Sequence, residues 1–262
     1  MLYAIGSKLA SESLLSLYPV LVKNLAVPFD LQLWSRFFTY SVISMLFVNW
    51  DFVSSNLISK DGVLLALVTS AHIYTSYKGF ILLESGISYT LFYFYPMLIL
   101  LFSGEPINPA ILLAIFGVFL LYNENKTDKN NWFGIVMIAL AAVTEALIYF
   151  IVRRLKTTNN WNHVFLSYFM GSLVLTGILY NRIYDNIDNQ QLTMSLLSNG
   201  VIGLVGYFLR FFAITHLEPG LYAPLSYFGV IMSHVYGVLI NGEQITATKT
   251  IGTLCIIASN IR

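Results

Sequence analysis

Apolar residues run along nearly the whole chain in blocks of 15 to 24, broken at short intervals by Gly, Pro, Asn and charged positions. Blocks of this length suit α-helices that cross a bilayer, which need about 20 apolar residues each. The pattern predicts ten spans, at 2–25, 31–50, 62–82, 86–103, 108–122, 132–154, 163–181, 194–215, 219–240 and 246–260. Connections are short, the most polar being 123–131, 153–162 and 181–191. An even number of spans puts both termini on one side. The basic residues do not say which. With the N-terminus inside, Lys8, Lys60, Arg153, Arg154, Lys156, Arg210 and Arg262 fall inside, and Lys23, Arg36, Lys78, Lys126, Lys129, Arg182 and Lys249 fall outside, seven against seven.

Composition sharpens this picture. Of 262 residues 57% are hydrophobic and 10% charged, against roughly 25% charged in an ordinary soluble domain. That excludes a soluble single domain and leaves no room for a separate one. One cysteine, Cys255, excludes an internal disulfide framework and a multi-cysteine metal site, and no cofactor is expected. The net charge of +1 offers no basic surface for nucleic acid. The first block carries Lys8 and Glu12, with no basic leader or small-residue cleavage pattern, so it reads as a retained helix. Asn125-Lys126-Thr127 fits a glycosylation triplet, which in so short a loop reads as chance.

The blocks repeat. Shifted by 134 positions, LESGISYTLFYF (Leu83 to Phe94) lies over LEPGLYAPLSYF (Leu217 to Phe228) with six of twelve positions identical, where chance gives roughly one. Gly104-Glu105-Pro106-Ile107 matches Gly242-Glu243-Gln244-Ile245 at a shift of 138, and Val22-Lys23-Asn24-Leu25 lies over Val152-Arg153-Arg154-Leu155 at 130. The chain therefore reads as two five-helix units, 1–127 and 128–262. Five is odd, so the second unit enters the membrane in the opposite sense, giving inverted repeats whose halves can exchange conformations around one central site.

At these repeats the sequence resembles the ten-helix EamA-type members of the drug/metabolite transporter superfamily. The resemblance rests on Tyr89 to Glu105 and Pro219 to Gly252, each a small/aromatic run, an apolar helix and a closing Gly-Glu. It implies an all-α integral membrane fold of ten transmembrane helices and alternating-access transport. It also implies a plasma or inner membrane with both termini cytoplasmic. Pro96 stands about one turn closer to Gly104-Glu105 than the family pattern has it, and its counterpart in the second half is Val230. The signature motifs of the nucleotide-sugar branch are not found.

Ionisable side chains at bilayer depth cost several kcal/mol unless paired or hydrated, so each is a candidate. Lys8, Glu12, Ser16, Pro19 and Lys23 form a polar stripe on the first helix. It reads equally as a cavity wall and as a Lys8/Glu12 pair that only packs. Glu145 has no basic residue within a turn on its own helix, so it needs a partner elsewhere or a proton. Here the chain looks like the small multidrug resistance branch, in which a glutamate of the first helix holds a proton or a cationic substrate in turn. That resemblance makes Glu145 and Glu12 the candidate proton-coupling pair. His72 and Ser76 map by the repeat onto Gly206 and Arg210, and Arg210 either binds an anionic group or snorkels. His234 reads more readily as a packing group than as a ligand. Tyr89, Tyr93 and Tyr227 are candidates to cage an organic cation, although aromatics in a membrane bundle more often pack. Glu84, Glu105, Glu218 and Glu243 read as structural, the first and third complementing helix dipoles.

The candidate substrate-binding set is thus Glu12, His72, Tyr89, Tyr93, Glu145, Arg210, Tyr227 and His234. It points to a secondary transporter of a small polar metabolite, zwitterionic or cationic, amino-acid-like or choline-like, with possible coupling to protons. A lipid flippase of the same fold is the alternative. A membrane enzyme using His72, His234 and Glu145 is the weakest reading, because no nucleophile–base spacing or nucleotide-binding loop accompanies them. Oligomeric state is not legible.

Overall fold

A computed structural model of the chain describes residues 1–104, 111–124, 131–186 and 188–258. Within them every element is helical: α1 (Leu2–Leu15), α2 (Tyr18–Asn24), α3 (Phe29–Met45), α4 (Trp50–Asn56), α5 (Lys60–Leu82), α6 (Ser85–Phe92), α7 (Tyr95–Phe102), α8 (Ile111–Glu124), α9 (Asn131–Arg154), α10 (Asn160–Asp185), α11 (Gln190–Ser198), a π-helical turn (Asn199–Leu204), α12 (Val205–His216), α13 (Pro219–Ser226), α14 (Phe228–Asn241) and α15 (Ala247–Ala258). The triplet at 125–127, Glu105 and Arg262 lie outside the described residues.

Each of the ten predicted ranges holds helix, but five stretches among the described residues are long and apolar enough to cross a membrane unaided. These are Ser85–Phe102, Trp132–Arg154, Asn160–Asp185, Gln190–His216 and Pro219–Asn241. Trp50–Asn56 and Lys60–Leu82, bent by 86°, make a sixth if taken as one span. The other ranges fall short for visible reasons. The first is interrupted at residues 16–17 and carries Lys8, Glu12 and Lys23, while α3, α8 and α15 have 17, 14 and 12 residues.

The interruptions between α1 and α2 and between α6 and α7 follow from proline. Pro19 and Pro96 are the second residues of α2 and α7, where a missing N–H costs nothing but would deny a bond to the carbonyl four residues back. Those carbonyls belong to Leu15 and Phe92, the last residues of α1 and α6. In the second half α13 contains Pro224 and ends at Ser226, which the 134 shift lays over Phe92. The two halves therefore break this helix at the same place, in the second half without a proline four residues beyond the break, where Val230 stands opposite Pro96. Elsewhere the chain re-enters helix at side-chain caps, with Asn49, Ser59, Asn159 and Asn189 accepting from backbone N–H groups of α4, α5, α10 and α11.

Helices α5 and α9 pack together, as do α1 and α12, α3 and α10, and α8 and α15; α6 and α7 lie against α14 and α13. Large apolar side chains such as Leu67, Phe119, Ile178 and Leu239 are exposed on the outside, the surface expected against lipid. Polar side chains are turned in: Lys8, Ser11, Glu12 and Ser16 are all buried. Helices α1 and α12 meet closely at Gly206, whose absent Cβ would stand 2.7 Å from Leu15, while Ser11 donates to the Gly206 carbonyl at 2.8 Å. One turn further along α12 is Arg210, which this contact carries against Glu12.

Candidate functional site

The centre of the bundle holds a closed cluster of charges. Lys8 donates to Glu12 through a short contact and to the Tyr95 hydroxyl at 3.2 Å, with its ammonium 3.6 Å from the centre of the Tyr222 ring. Arg210 Nη1 donates to Glu145 Oε1 at 2.7 Å, and its Nη2 lies 3.3 Å from Glu12 Oε1. Glu145 Oε2 in turn stands 3.4 Å from His72 Nε2. None of the five is more than 3% exposed. Two cations face two carboxylates, so the charges balance, as buried ions require. Lys8, Glu12 and His72 come from the first half, Glu145 and Arg210 from the second.

Geometry fixes the histidine tautomer. His72 Nδ1 is 3.1 Å from the Ala141 carbonyl, which can only accept, so Nδ1 carries the proton. Nε2 then accepts from the Tyr207 hydroxyl at 3.1 Å. A second proton on Nε2 would turn the 3.4 Å approach to Glu145 into an ion pair.

Beside this cluster is a small cavity of about 20 Å³, lined among others by Tyr18, Arg36, His72, Ser76, Tyr89, Tyr207 and Arg210. A water needs roughly 10–15 Å³ measured this way, so in this closed arrangement there is space for one small group. Of the predicted residues, the structure brings together Glu12, His72, Glu145 and Arg210, and places Tyr89 on the cavity. Tyr93 and Tyr227 sit side by side with ring centres 6.3 Å apart, and neither lines the cavity. The cations held over rings here are the protein's own, Lys8, Arg36 and Arg210. His234 stands apart, its Nε2 3.1 Å from both Thr90 and Thr253. It therefore does not join His72 and Glu145 in one acid–base set. Glu145 has the basic partner that its own helix lacked, and Arg210 is buried at 1% exposure instead of reaching the interface.

The acidic residues at the repeat turns are structural in a way the sequence order concealed. Glu84 precedes α6 and makes no capping bond; it pairs with Lys249. The carboxylate that caps α6 is Glu243 of the other half, accepting from the backbone N–H groups of Ser85 at 2.7 Å and Gly86 at 3.1 Å, with Lys23 3.8 Å away. Gly242 makes this possible by ending α14 with φ 65°, a left-handed conformation that suits glycine. Burial pushes the Glu243 carboxyl up, but the Ser85 and Gly86 hydrogen bonds and Lys23 outweigh it and hold it below its ordinary value. At the opposite repeat position Glu218 meets Arg153 at 3.8 Å, and Arg153 also donates to the Tyr149 hydroxyl at 2.7 Å and the Leu217 carbonyl at 3.1 Å.

Arg36 is not in the candidate set. α3 begins at Phe29, two residues before the predicted span, and places Arg36 two turns, roughly 10 Å, along the helix. A charge flanked by Ser35, Thr39 and Tyr40 in an apolar block was the available signal.

An all-helical bundle with lipid-facing apolar sides and a buried, balanced ion cluster defines a multi-pass membrane protein with a polar site at its centre. Residues 132–261 match the EamA-like transporter family, and through this half the chain belongs to that family, part of the drug/metabolite transporter superfamily of membrane transporters. No curated protein matches the sequence. A solved crystal structure of a protein is similar over 97% of this chain and 96% of its own, with a TM-score of 0.60 and 14% identity, a likeness of fold alone.

Proposed function

We propose that the protein is a secondary transporter that carries a small polar organic solute by alternating access, through ten spans arranged as two inverted five-helix repeats. The observation that carries this reading is the Lys8–Glu12–Arg210–Glu145–His72 cluster, fully buried and assembled from both halves. A pore has no use for ions that neutralise one another, whereas a carrier gains from pairs that can be exchanged for a substrate's charges. The packing supports the repeat. Exchanging each helix for its equivalent turns the α5–α9 contact into the α1–α12 contact and returns α3–α10 and α8–α15 to themselves.

Proton coupling is read from Glu145. With His72 neutral, Glu145 is held by Arg210; a proton on His72 or on Glu145 itself weakens that bond and frees the Arg210 fork. Glu12 is the lesser candidate because Lys8 and Arg210 both hold it. A lipid flippase would need a lipid-sized lateral opening onto the cluster. Two large apolar crevices among the described residues, of about 480 and 340 Å³, are lined by no residue of the cluster, which favours a solute.

The test is transport in reconstituted vesicles with an imposed pH gradient, offering amino acids and choline as solutes. Wild type should accumulate its solute with the gradient. Glu145→Gln should lose that response and keep exchange of labelled for unlabelled solute, provided the solute does not require the negative charge. Wild-type transport indifferent to the gradient removes proton coupling, and gradient-driven transport by Glu145→Gln removes Glu145 from the mechanism.

A further inference from the structure

Arg36 is the second buried guanidinium of this core, 2% exposed, and no carboxylate among the described residues lies within salt-bridge distance of it. Its surroundings are aromatic. The guanidinium carbon lies 4.6 Å from the ring centre of Tyr18, 4.7 Å from Tyr207, 5.4 Å from Tyr40 and Tyr77, and 5.9 Å from Tyr168. Nη2 donates to the Tyr168 hydroxyl at 3.2 Å, the Tyr77 and Tyr207 hydroxyls are also within hydrogen-bonding reach, and Nε has no partner. Ring faces and hydroxyls soften a buried cation but do not neutralise it. A guanidinium keeps its charge in proteins. The side chain also lines the central cavity, so the charge, without a carboxylate partner, faces the space beside the ion cluster.

We infer that Arg36 and its tyrosine cage form the subsite for a compact oxyanion, the carboxylate or phosphate end of the transported solute. The guanidinium fork matches two oxygens of such a group. The Tyr18 hydroxyl is already committed, lying 2.6 Å from that of Tyr40 and donating to Asn199 at 2.9 Å; Tyr207 is shared. Its ring lies under Arg36 and 5.3 Å from Arg210, and its hydroxyl bonds His72. An oxyanion arriving at Arg36 therefore presents the rest of the molecule to Glu145 and Arg210. An ammonium at that end would meet Glu145, which makes an amino acid the natural occupant and a bare cation such as choline a poor one. This rests on the transporter reading for why a solute enters the cavity, but binding is measured separately from transport, so either can fail without the other.

The experiment is thermal unfolding of the purified chain in detergent, at fixed ionic strength and pH, with chloride replaced by acetate or by inorganic phosphate, with glycine added as the zwitterion, and with choline as the cationic control. Acetate or phosphate should raise the midpoint by about 2–4 °C at roughly ten times its dissociation constant, and choline should not. A response to acetate alone assigns a carboxylate end, one to phosphate alone a phosphate end. Arg36→Gln should abolish the shift and Arg36→Lys should retain part of it. Should Arg36→Gln fail to fold, Ser76→Asp provides the second arm. It supplies a carboxylate from the cavity wall and should unfold at a higher temperature while losing the response to added oxyanions. No shift with either oxyanion in wild type, an undiminished shift in folded Arg36→Gln, or an undiminished shift in Ser76→Asp overturns the proposal.

Discussion

Arg210 and Arg36 lie in the same core, both almost wholly buried, and bear the cost of a buried charge in different ways. Arg210 is surrounded by opposite charge: Glu145 at 2.7 Å and Glu12 at 3.3 Å, with Lys8 completing a set of two cations and two anions. Arg36 has only ring faces and tyrosine hydroxyls. A balanced cluster can be rearranged but not added to without ejecting something, whereas an unbalanced one is completed by a partner. On the proposed reading, the difference separates two tasks within one site, the exchange of internal pairs and the attraction of an external anion.

The comparison predicts unequal responses to mutation. Arg210→Ala strips two carboxylates of their cation and should cost about 3–5 kcal/mol, the scale of breaking a buried pair by removing one member, read as loss of folded protein or a large drop in unfolding temperature. Arg210→Lys keeps the charge but loses the fork that reaches both glutamates, and should cost about 1–2 kcal/mol with weaker solute binding. Arg36→Lys should cost less than Arg210→Lys, because no carboxylate geometry is lost. A larger cost at Arg36, measured by the same unfolding assay, breaks the distinction. His72→Ala should be milder than Arg210→Ala, since Glu145 keeps Arg210.

Glu243 gives the smallest effect and a contrast outside the core. Its carboxyl titrates below the ordinary value when folded, so it stabilises the fold fully above the unfolded value and loses that contribution as pH falls through the folded one. Unfolding midpoints should drop on acidification below about pH 4.5 in wild type, with a shallower drop in Glu243→Gln. An equal drop in both would mean that the cap on α6 is held by the backbone alone.

How much of this was legible depends on whether the signal was local. Apolar blocks and prolines are local, so helix positions could be read from the chain, and the 134 shift even places the break after Ser226 opposite that after Phe92. Polar residues in apolar blocks are local too, which is why Glu12, His72, Glu145 and Arg210 could be singled out. Their pairing is not local: Glu145 and Arg210 are 65 positions apart, and a carboxylate with no basic neighbour on its own helix reads the same whether it is protonated or met from across the bundle. Glu243 capping α6 from 158 positions away is the same lesson. Arg36 carries a local signal too, a charge among polar and aromatic residues of an apolar block, but most of the tyrosines that surround it come from other helices.

The central claim is that one buried site communicates in turn with both faces of the membrane. Ser76, on the wall of the central cavity, reports on it directly. In a background with Cys255→Ser, Ser76→Cys in vesicles of known orientation should react with a small impermeant thiol reagent added to either face, with an oxyanion or zwitterion that binds the site slowing both reactions. Labelling from one face only, under every condition of pH and solute, would contradict alternating access through this site.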